Sequence, residues 1–569
     1  MLQVQNCGGV RDEHSGCRMD HSPSIERQHS AQHVDEHAFL AQHLKHVFVI
    51  SEAGKPIYSL HGHEIVLSST LCVIQALVSS ISDATPPSVP MPIADQTSPG
   101  NPGNPDNLRS FVTGSLTMRF LCRPPLILVA VSRVPDEPIS HLKLQLDYLY
   151  NQIISVLTNT RLQRLFAVRP NYDLRAQLSG TEATMARVVE FCDSNFSAML
   201  SAVNCLPLPA ELRDSIGGAM SQSAAKIQNL VFVILLTGGT SQLIAMARMK
   251  KYSIHPSDLH LLFNLVASNP QFRTTQFWLP ICLPNFDDSG CLYAHISYLS
   301  EDASASGANA ADGKSDDHDE CLNSTSFATY SPCLILLTTE REAFYTMSDV
   351  RQRIISRIVK TSGSNNLSSS SNPYGMMPPI PTGKRASAPS LGAGPALSGQ
   401  LASPAATAPS LAPTKAIDGL VDAIRMSALR MYCLADTGLH SDLWHFVYKN
   451  RISAQFTAPR LGKDPVDSAS GTSTNVGGGP YWDRVEQLRL FRLYVRLHAL
   501  MHTGRLPLKI HYWSGDKEAV LGWMTSSFEL YAAFSPLVTK QAAIALVDKL
   551  MKWLKREESR LFILNPPLY

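Results

Sequence analysis

Three times along the chain, strand-like apolar runs are followed by apolar residues at helical spacing. In the first unit Lys45–Ser51 (KHVFVIS) is β-branched and aromatic, the composition of a buried strand. Glu52–Pro56 turns the chain, with Gly54 free to take positive φ and Pro56 closing the turn, and Ile57–Leu60 pairs back as a second strand. Val66–Ile81 then reads as a helix. Leu67, Leu71, Ile74, Val78 and Ile81 form one stripe on it, and Val66, Val73 and Leu77 form a second stripe alongside. Covering one sheet takes a single stripe. The second either packs within the same domain or belongs to a partner, and periodicity leaves both open.

The first unit continues with strands at Ser115–Leu121 and Leu126–Ser132, a helix at Ile139–Leu157, a polar surface element at Asn171–Arg175 and a helix at Thr181–Leu200. The order then returns. Leu230–Leu236 and Ser241–Arg248 are strands, Pro256 opens a helix with Leu259, Leu262, Phe263 and Val266 as its stripe, Phe277–Leu283, Cys291–Leu299 and Cys333–Thr338 are strands, and Arg341–Val359 is a helix. This is a β-β-α-β-β-β-α unit. A third runs through strands Leu443–Tyr448 and Ala454–Ala458, helix Tyr481–Leu500, strands Leu508–Trp513, Val520–Thr525 and Phe528–Phe534, and helix Thr539–Arg556, with Leu561–Leu564 a candidate last strand. The pattern predicts a mixed α/β protein of the α+β type, with three domains that each carry an antiparallel sheet and flanking helices. The divisions are a His-rich, polar tail over 1–42, domains over 43–205, 206–360 and 416–569, and a Ser/Pro/Ala-rich linker over 361–415.

At 569 residues the chain exceeds what one core can organise. A net charge of +2 is close to balance, which speaks against a nucleic-acid partner. Eleven scattered cysteines with no CxxC pair are expected to be reduced thiols in the cytosol, not a disulfide framework or zinc module. With no secretory apolar region and no uninterrupted apolar run long enough to span a bilayer, any membrane role is expected to be peripheral.

Candidate chemistry is sparse. His33–His37 has HxxEH spacing, but that chemistry needs both histidines on one face of a fixed helix, and the tail offers no such scaffold. His498 and His502 sit four apart with no Glu following His498, on a helix that reads as core. Gly238-Gly239 lacks a following GK[ST] and lies between two hairpin strands. GxSxG, HExxH, a Walker lysine and a Rossmann fingerprint are all absent. The expectation is therefore no catalytic residue, no cofactor and no metal. A hydrolase with a triad dispersed over loops would leave no motif and stands as a rival class. On the last helix Lys549, Lys552, Lys555 and Arg556 interleave with Leu550, Trp553 and Leu554. They are either a solvated basic face on a helix packed to its sheet, or a face set against anionic lipid such as phosphoinositides.

Three repeated units of this kind resemble longin domains. The blocks KHVFVISEAGKPIYS, NYDLRAQLSG, HPSDLHLLFNLVAS, CLYAHISYL and RLFILNPPLY resemble the Mon-one/SAND family of vacuolar fusion proteins over about Leu44–Val359 and Ala416–Tyr569. Pro86–Pro105, Ala303–Asn323, the linker and Gly462–Gly479 depart from it as insertions. The resemblance implies one subunit of a guanine-nucleotide exchange factor. Its partner would be a Ccz-family subunit paired through the first longin domains, its substrate the late-endosomal Rab GTPase, Rab-seven, and its location the cytoplasmic surface of late endosomes and the vacuole or lysosome. Val66, Val73 and Leu77 are then candidates for the surface facing the partner. A non-catalytic longin tether or adaptor is the alternative.

Overall fold

The computed structural model describes residues 40–62, 67–84, 108–299, 331–364, 413–429, 431–439, 442–461, 480–503 and 507–569. Three sheets organise them. The first has the order β2-β1-β5-β4-β3, with β1 Lys45–Ser51, β2 Pro56–Ser59, β3 Ser110–Thr113, β4 Leu116–Arg123 and β5 Leu126–Ser132. Gly54 takes φ +79° in the turn between β1 and β2, as its place there predicts. β5 is the central strand, antiparallel to β1 (Phe48 opposite Val129) and to β4 (Phe120 opposite Val129). Side chains alternate across the sheet. Phe48, Ile50, Ile127 and Val129 face helix α1 (Ser68–Ala84), whereas Val47, Val49, Leu128 and Ala130 face helix α2 (Ile139–Leu157). Because both faces are covered, these strands read as continuous apolar runs.

The second sheet has the order β8-β7-β11-β10-β9 (β7 Leu230–Thr237, β8 Leu243–Arg248, β9 Phe277–Leu283, β10 Asp287–Tyr298, β11 Pro332–Thr338). The third has the order β14-β15-β16-β12-β13-β6 (β12 Leu443–Asn450, β13 Gln455–Thr457, β14 Ile510–Ser514, β15 Ala519–Met524, β16 Phe528–Phe534). Its first five strands repeat the topology of the other two. The sixth, β6 (Val203–Asn204), comes from the end of the first unit and pairs parallel with β13. The remaining helices used below are α3 (Glu182–Ser194), α4 (Ala210–Ala224), α5 (Pro256–Ser268), α6 (Phe344–Ser364), α7 (Pro413–Leu429), α8 (Arg484–His502) and α9 (Lys540–Arg556).

Several features depart from the sequence reading. β3 was missed, because four residues behind a long polar stretch carry too little pattern. The helix predicted over Thr181–Leu200 breaks at Asn195, whose side chain accepts the Ser197 N–H and starts a new short helix. Helix α7, not read as a helix and lying in residues placed with the linker and third domain, packs Leu420, Val421, Ile424 and Ala428 in one core with Leu334, Val350 and Ile354 of the second domain. Leu561–Leu564 is not a strand: Glu558–Leu561 is a helical turn, and Leu568 makes the bridge, to Arg248. A Cβ at Gly217 of α4 would meet Pro567, so glycine there lets the chain's end lie close against the second domain.

The domains are fastened to one another by buried polar groups. Tyr148 on α2 and His260 on α5 bond at 2.8 Å between Oη and Nδ1, and Asn264 donates to the Thr184 carbonyl and to Gln152. Arg213 on α4 is buried and donates to the carbonyls of Leu206, Ser559, Arg560 and Phe562, holding the third domain's end to the second.

Candidate partner surface

Helix α1 has the sequence SSTLCVIQALVSSISDA, in which Asp83 is the sole charged residue. Its inner stripe, Leu67, Leu71, Ile74 and Val78, is buried against β1, β4 and β5 together with Met118 and Phe120. On the outer side Cys72, Val73, Ala76, Ser79 and Ser80 are exposed and Leu77 is half-buried. Val73 keeps 59% of its surface in water. Val66 lies outside the described residues. The Gln75 amide donates to the Glu52 carbonyl, tying α1 to the β1–β2 turn. The outer face is thus smooth, weakly apolar and free of lysine, arginine and glutamate. A solvated surface helix ordinarily carries such charges on its polar side.

The neighbouring sheet edge continues this surface. Among the described residues β3 pairs only with β4, and all four of its residues are exposed. Phe111 stands opposite Met118, a residue of the α1-side core, so Phe111 lies on the α1 face of the sheet. Phe111 is 45% exposed and Val112 is 58% exposed. Val73, Leu77 and Phe111 are therefore placed on one side of one domain, beside a strand edge with no partner among the described residues. Sequence patterning found the helix and missed the edge strand.

Lys549, Lys552, Lys555 and Arg556 are all exposed on α9, while Leu550, Trp553 and Leu554 between them are buried in the third domain's core. The interleaved apolar residues thus hold the helix to its own sheet, and the basic residues form its outward face. Arg556 also pairs with Glu557.

Two polar clusters were not legible in full from spacing. Lys45 at the start of β1 places its ammonium 2.6 Å from both Glu137 and Asp193 and 3.2 Å from Gln145, with His141 alongside, in the wall of a cleft of about 440 Å3 between the first domain and α8. Burial acts to raise the Asp193 carboxyl, and contacts from His141 and Lys45 outweigh it, so the group is held below its ordinary range. The second cluster joins His498 and His502 to Glu529 on β16. The carboxylate that sequence spacing did not supply along the helix comes from another element. Among the described residues no cysteines form a disulfide, and no helix is long and apolar enough to cross a membrane.

The three units match, in order, the first longin domain of FUZ, MON1 and HPS1 (residues 45–87 and 100–188), the second (228–356) and the third (442–558). Over 529 residues the chain is 35% identical to vacuolar fusion protein MON1 homolog A of Gallus gallus, covering 93% of this chain and 73% of the relative. The chain belongs to the MON1/SAND family of vacuolar fusion proteins. Protein SAND of Takifugu rubripes is 34% identical over 93% of this chain and 77% of its own length, and MON1 homolog B of Mus musculus is 33% identical over 92% and 76%. The MON1 blocks noted in the sequence lie on β1–β2, on the segment 171–180 around the short helix Arg175–Leu178, on α5, on β10 and on the C-terminal segment that closes onto the second domain.

Proposed function

We propose that this chain is one subunit of a heterodimeric guanine-nucleotide exchange factor that activates the late-endosomal Rab GTPase. The second subunit is a Ccz-family protein. Exchange needs no nucleophile or tuned acid–base pair. Nucleotide is held by phosphate and Mg2+ contacts under the switch loops, and a protein that binds the opened switch conformation better than the closed one releases it. What such a protein needs is a shaped surface. The observation that supports this reading is the outer face of α1, free of lysine, arginine and glutamate, beside the exposed strand β3. On this reading Val73 and Leu77 meet the Ccz subunit. The two first domains together then form the face that engages Rab. The relatives' names, vacuolar fusion proteins, support a role in membrane fusion. The basic face of α9 orients the complex against anionic lipid on late endosomes and the vacuole or lysosome.

The test is co-purification of the full chain with its Ccz partner after Val73→Asp and Leu77→Asp are introduced together. Burying the exposed part of Val73 contributes about 1 kcal/mol, and desolvating an unpaired carboxylate in its place costs more, so association should weaken by about 100-fold or more. Circular dichroism of the isolated variant should be unchanged. Retained association, or an unfolded variant, would remove this stripe from the interface.

A further inference from the structure

His498 and His502 lie one turn apart on α8, with their rings stacked at 4.0 Å between centroids. Both direct Nε2 toward one carboxylate on a different element. Glu529 Oε1 is 3.6 Å from His498 Nε2 and 3.3 Å from His502 Nε2, and all three atoms fall within 4.8 Å of one another. Two ligand atoms held about 2.0–2.1 Å from a tetrahedral ion stand roughly 3.3–3.4 Å apart. The observed spacing is close to that required by a shared ion, and two imidazoles with one carboxylate are a zinc-type donor set. We propose that His498, His502 and Glu529 bind a divalent transition-metal ion of the zinc class, with water completing its coordination.

The surroundings orient these ligands. His502 Nδ1 lies 2.8 Å from the His498 carbonyl; a proton there donates to that oxygen and leaves the Nε2 lone pair aimed at Glu529. The Tyr531 hydroxyl donates to Glu529 Oε1 and fixes the carboxylate. Glu529 is 1% exposed and forms the floor, while the histidines, partly open to solvent, form the rim through which an ion enters. Lys449, whose ammonium donates to the Leu200 carbonyl, lies 3.5 Å from the other carboxylate oxygen, Oε2. It balances part of the carboxylate's charge and moderates affinity. His141 is the other titratable group that acts on His498. The Glu137–His141–Asp193 cluster offers a contrast: there the Lys45 ammonium already sits against both carboxylates, so the protein supplies its own cation.

The experiment uses the full chain purified without an affinity tag, stripped with chelator and titrated with Co2+ and then Zn2+. The expected result is one equivalent of Co2+ giving a tetrahedral-type visible spectrum, displaced by Zn2+. His502→Asn should weaken binding by more than the roughly 10–100-fold typical of outer-shell changes. His33→Asn with His37→Asn, in the His-rich tail, should leave it intact. No binding by the wild type, an unchanged spectrum in His502→Asn, or loss confined to the tail variant would each overturn the proposal. X-ray absorption of the zinc-loaded wild type gives a readout independent of any variant: nitrogen and oxygen ligands including two imidazoles are expected, and a sulfur ligand would contradict the assignment.

Discussion

Acidification should loosen the joint between the first and second domains through His260. The imidazole is buried beside Tyr148, Phe191 and Phe263. Its Nδ1 accepts the Tyr148 hydroxyl at 2.8 Å, and its Nε2–H donates to the Ala202 carbonyl at 3.1 Å, so both nitrogens are committed in the neutral form. Burial lowers the group to about 3, only partly opposed by the Ala202 bond. In the unfolded chain the same side chain titrates near 6.5. The unfolded state therefore takes up a proton first as pH falls, and stability that is complete above pH 6.5 declines from there toward pH 3. At pH 5.5 the loss is about 1.4 kcal/mol for this residue. His445, lowered to about 3, and His295, lowered to about 4, are fully buried and behave alike, for a total of about 4 kcal/mol. Native-state amide exchange in helix Pro256–Ser268 reads the local opening free energy where His260 acts. Measured at pH 7.5 and 5.5, the wild type should lose about 1.4 kcal/mol more than His260→Gln, since a glutamine does not titrate. Any intrinsic cost of the substitution cancels between the two pH values. Equal losses in both proteins would refute the assignment of a neutral, doubly bonded imidazole at this joint.

Lys45→Met should destabilise the first domain by about 3 kcal/mol at pH 7.5, at the low end for a broken buried pair because Asp193 keeps 35% of its side chain exposed. Part of that loss should return at pH 5 in urea unfolding as the stranded Asp193 carboxylate, raised by burial once Lys45 no longer opposes it, takes up a proton, and a cost that does not vary with pH would contradict the role given to Lys45. Changing Lys549, Lys552, Lys555 and Arg556 to Gln should reduce co-sedimentation of the complex with phosphatidylserine- or phosphoinositide-containing vesicles. Each basic residue near such a surface contributes on the order of 1 kcal/mol, and the wild-type attraction should fall with salt. Unchanged sedimentation would make them an ordinary solvated face.

Where one physical signal dominates, the sequence reads well. β5 (LILVAVS) and α2 lie where an apolar run and a helical stripe put them, because both sheet faces are covered and burial alone decides the pattern. The inner stripe of α1 is legible for the same reason, with Leu67, Leu71, Ile74 and Val78 all buried. Helix α4 was not seen, since AELRDSIGGAMSQSA holds two glycines and no clear stripe and is stabilised by contacts with the chain's distant end. Helix α7 was not seen, since it follows a long Ser/Pro/Ala-rich stretch, and its apolar face packs against the second sheet, distant in sequence. The His498–His502–Glu529 group was half legible: helical spacing gives the two histidines, and only the pairing of β16 beside β12 brings the carboxylate under them. Long-range pairing of this kind leaves no local periodicity to detect.

The most direct measurement of the proposed activity is release of labelled guanine nucleotide from purified late-endosomal Rab. It would be followed with this chain alone, with the Ccz subunit alone, with both, and with both after Val73→Asp and Leu77→Asp. Accelerated release by the assembled pair, tight binding to nucleotide-free Rab and loss of acceleration in the double variant are predicted. No acceleration by the pair, with preferential binding to GTP-loaded Rab, would identify an effector or tether and contradict an exchange factor.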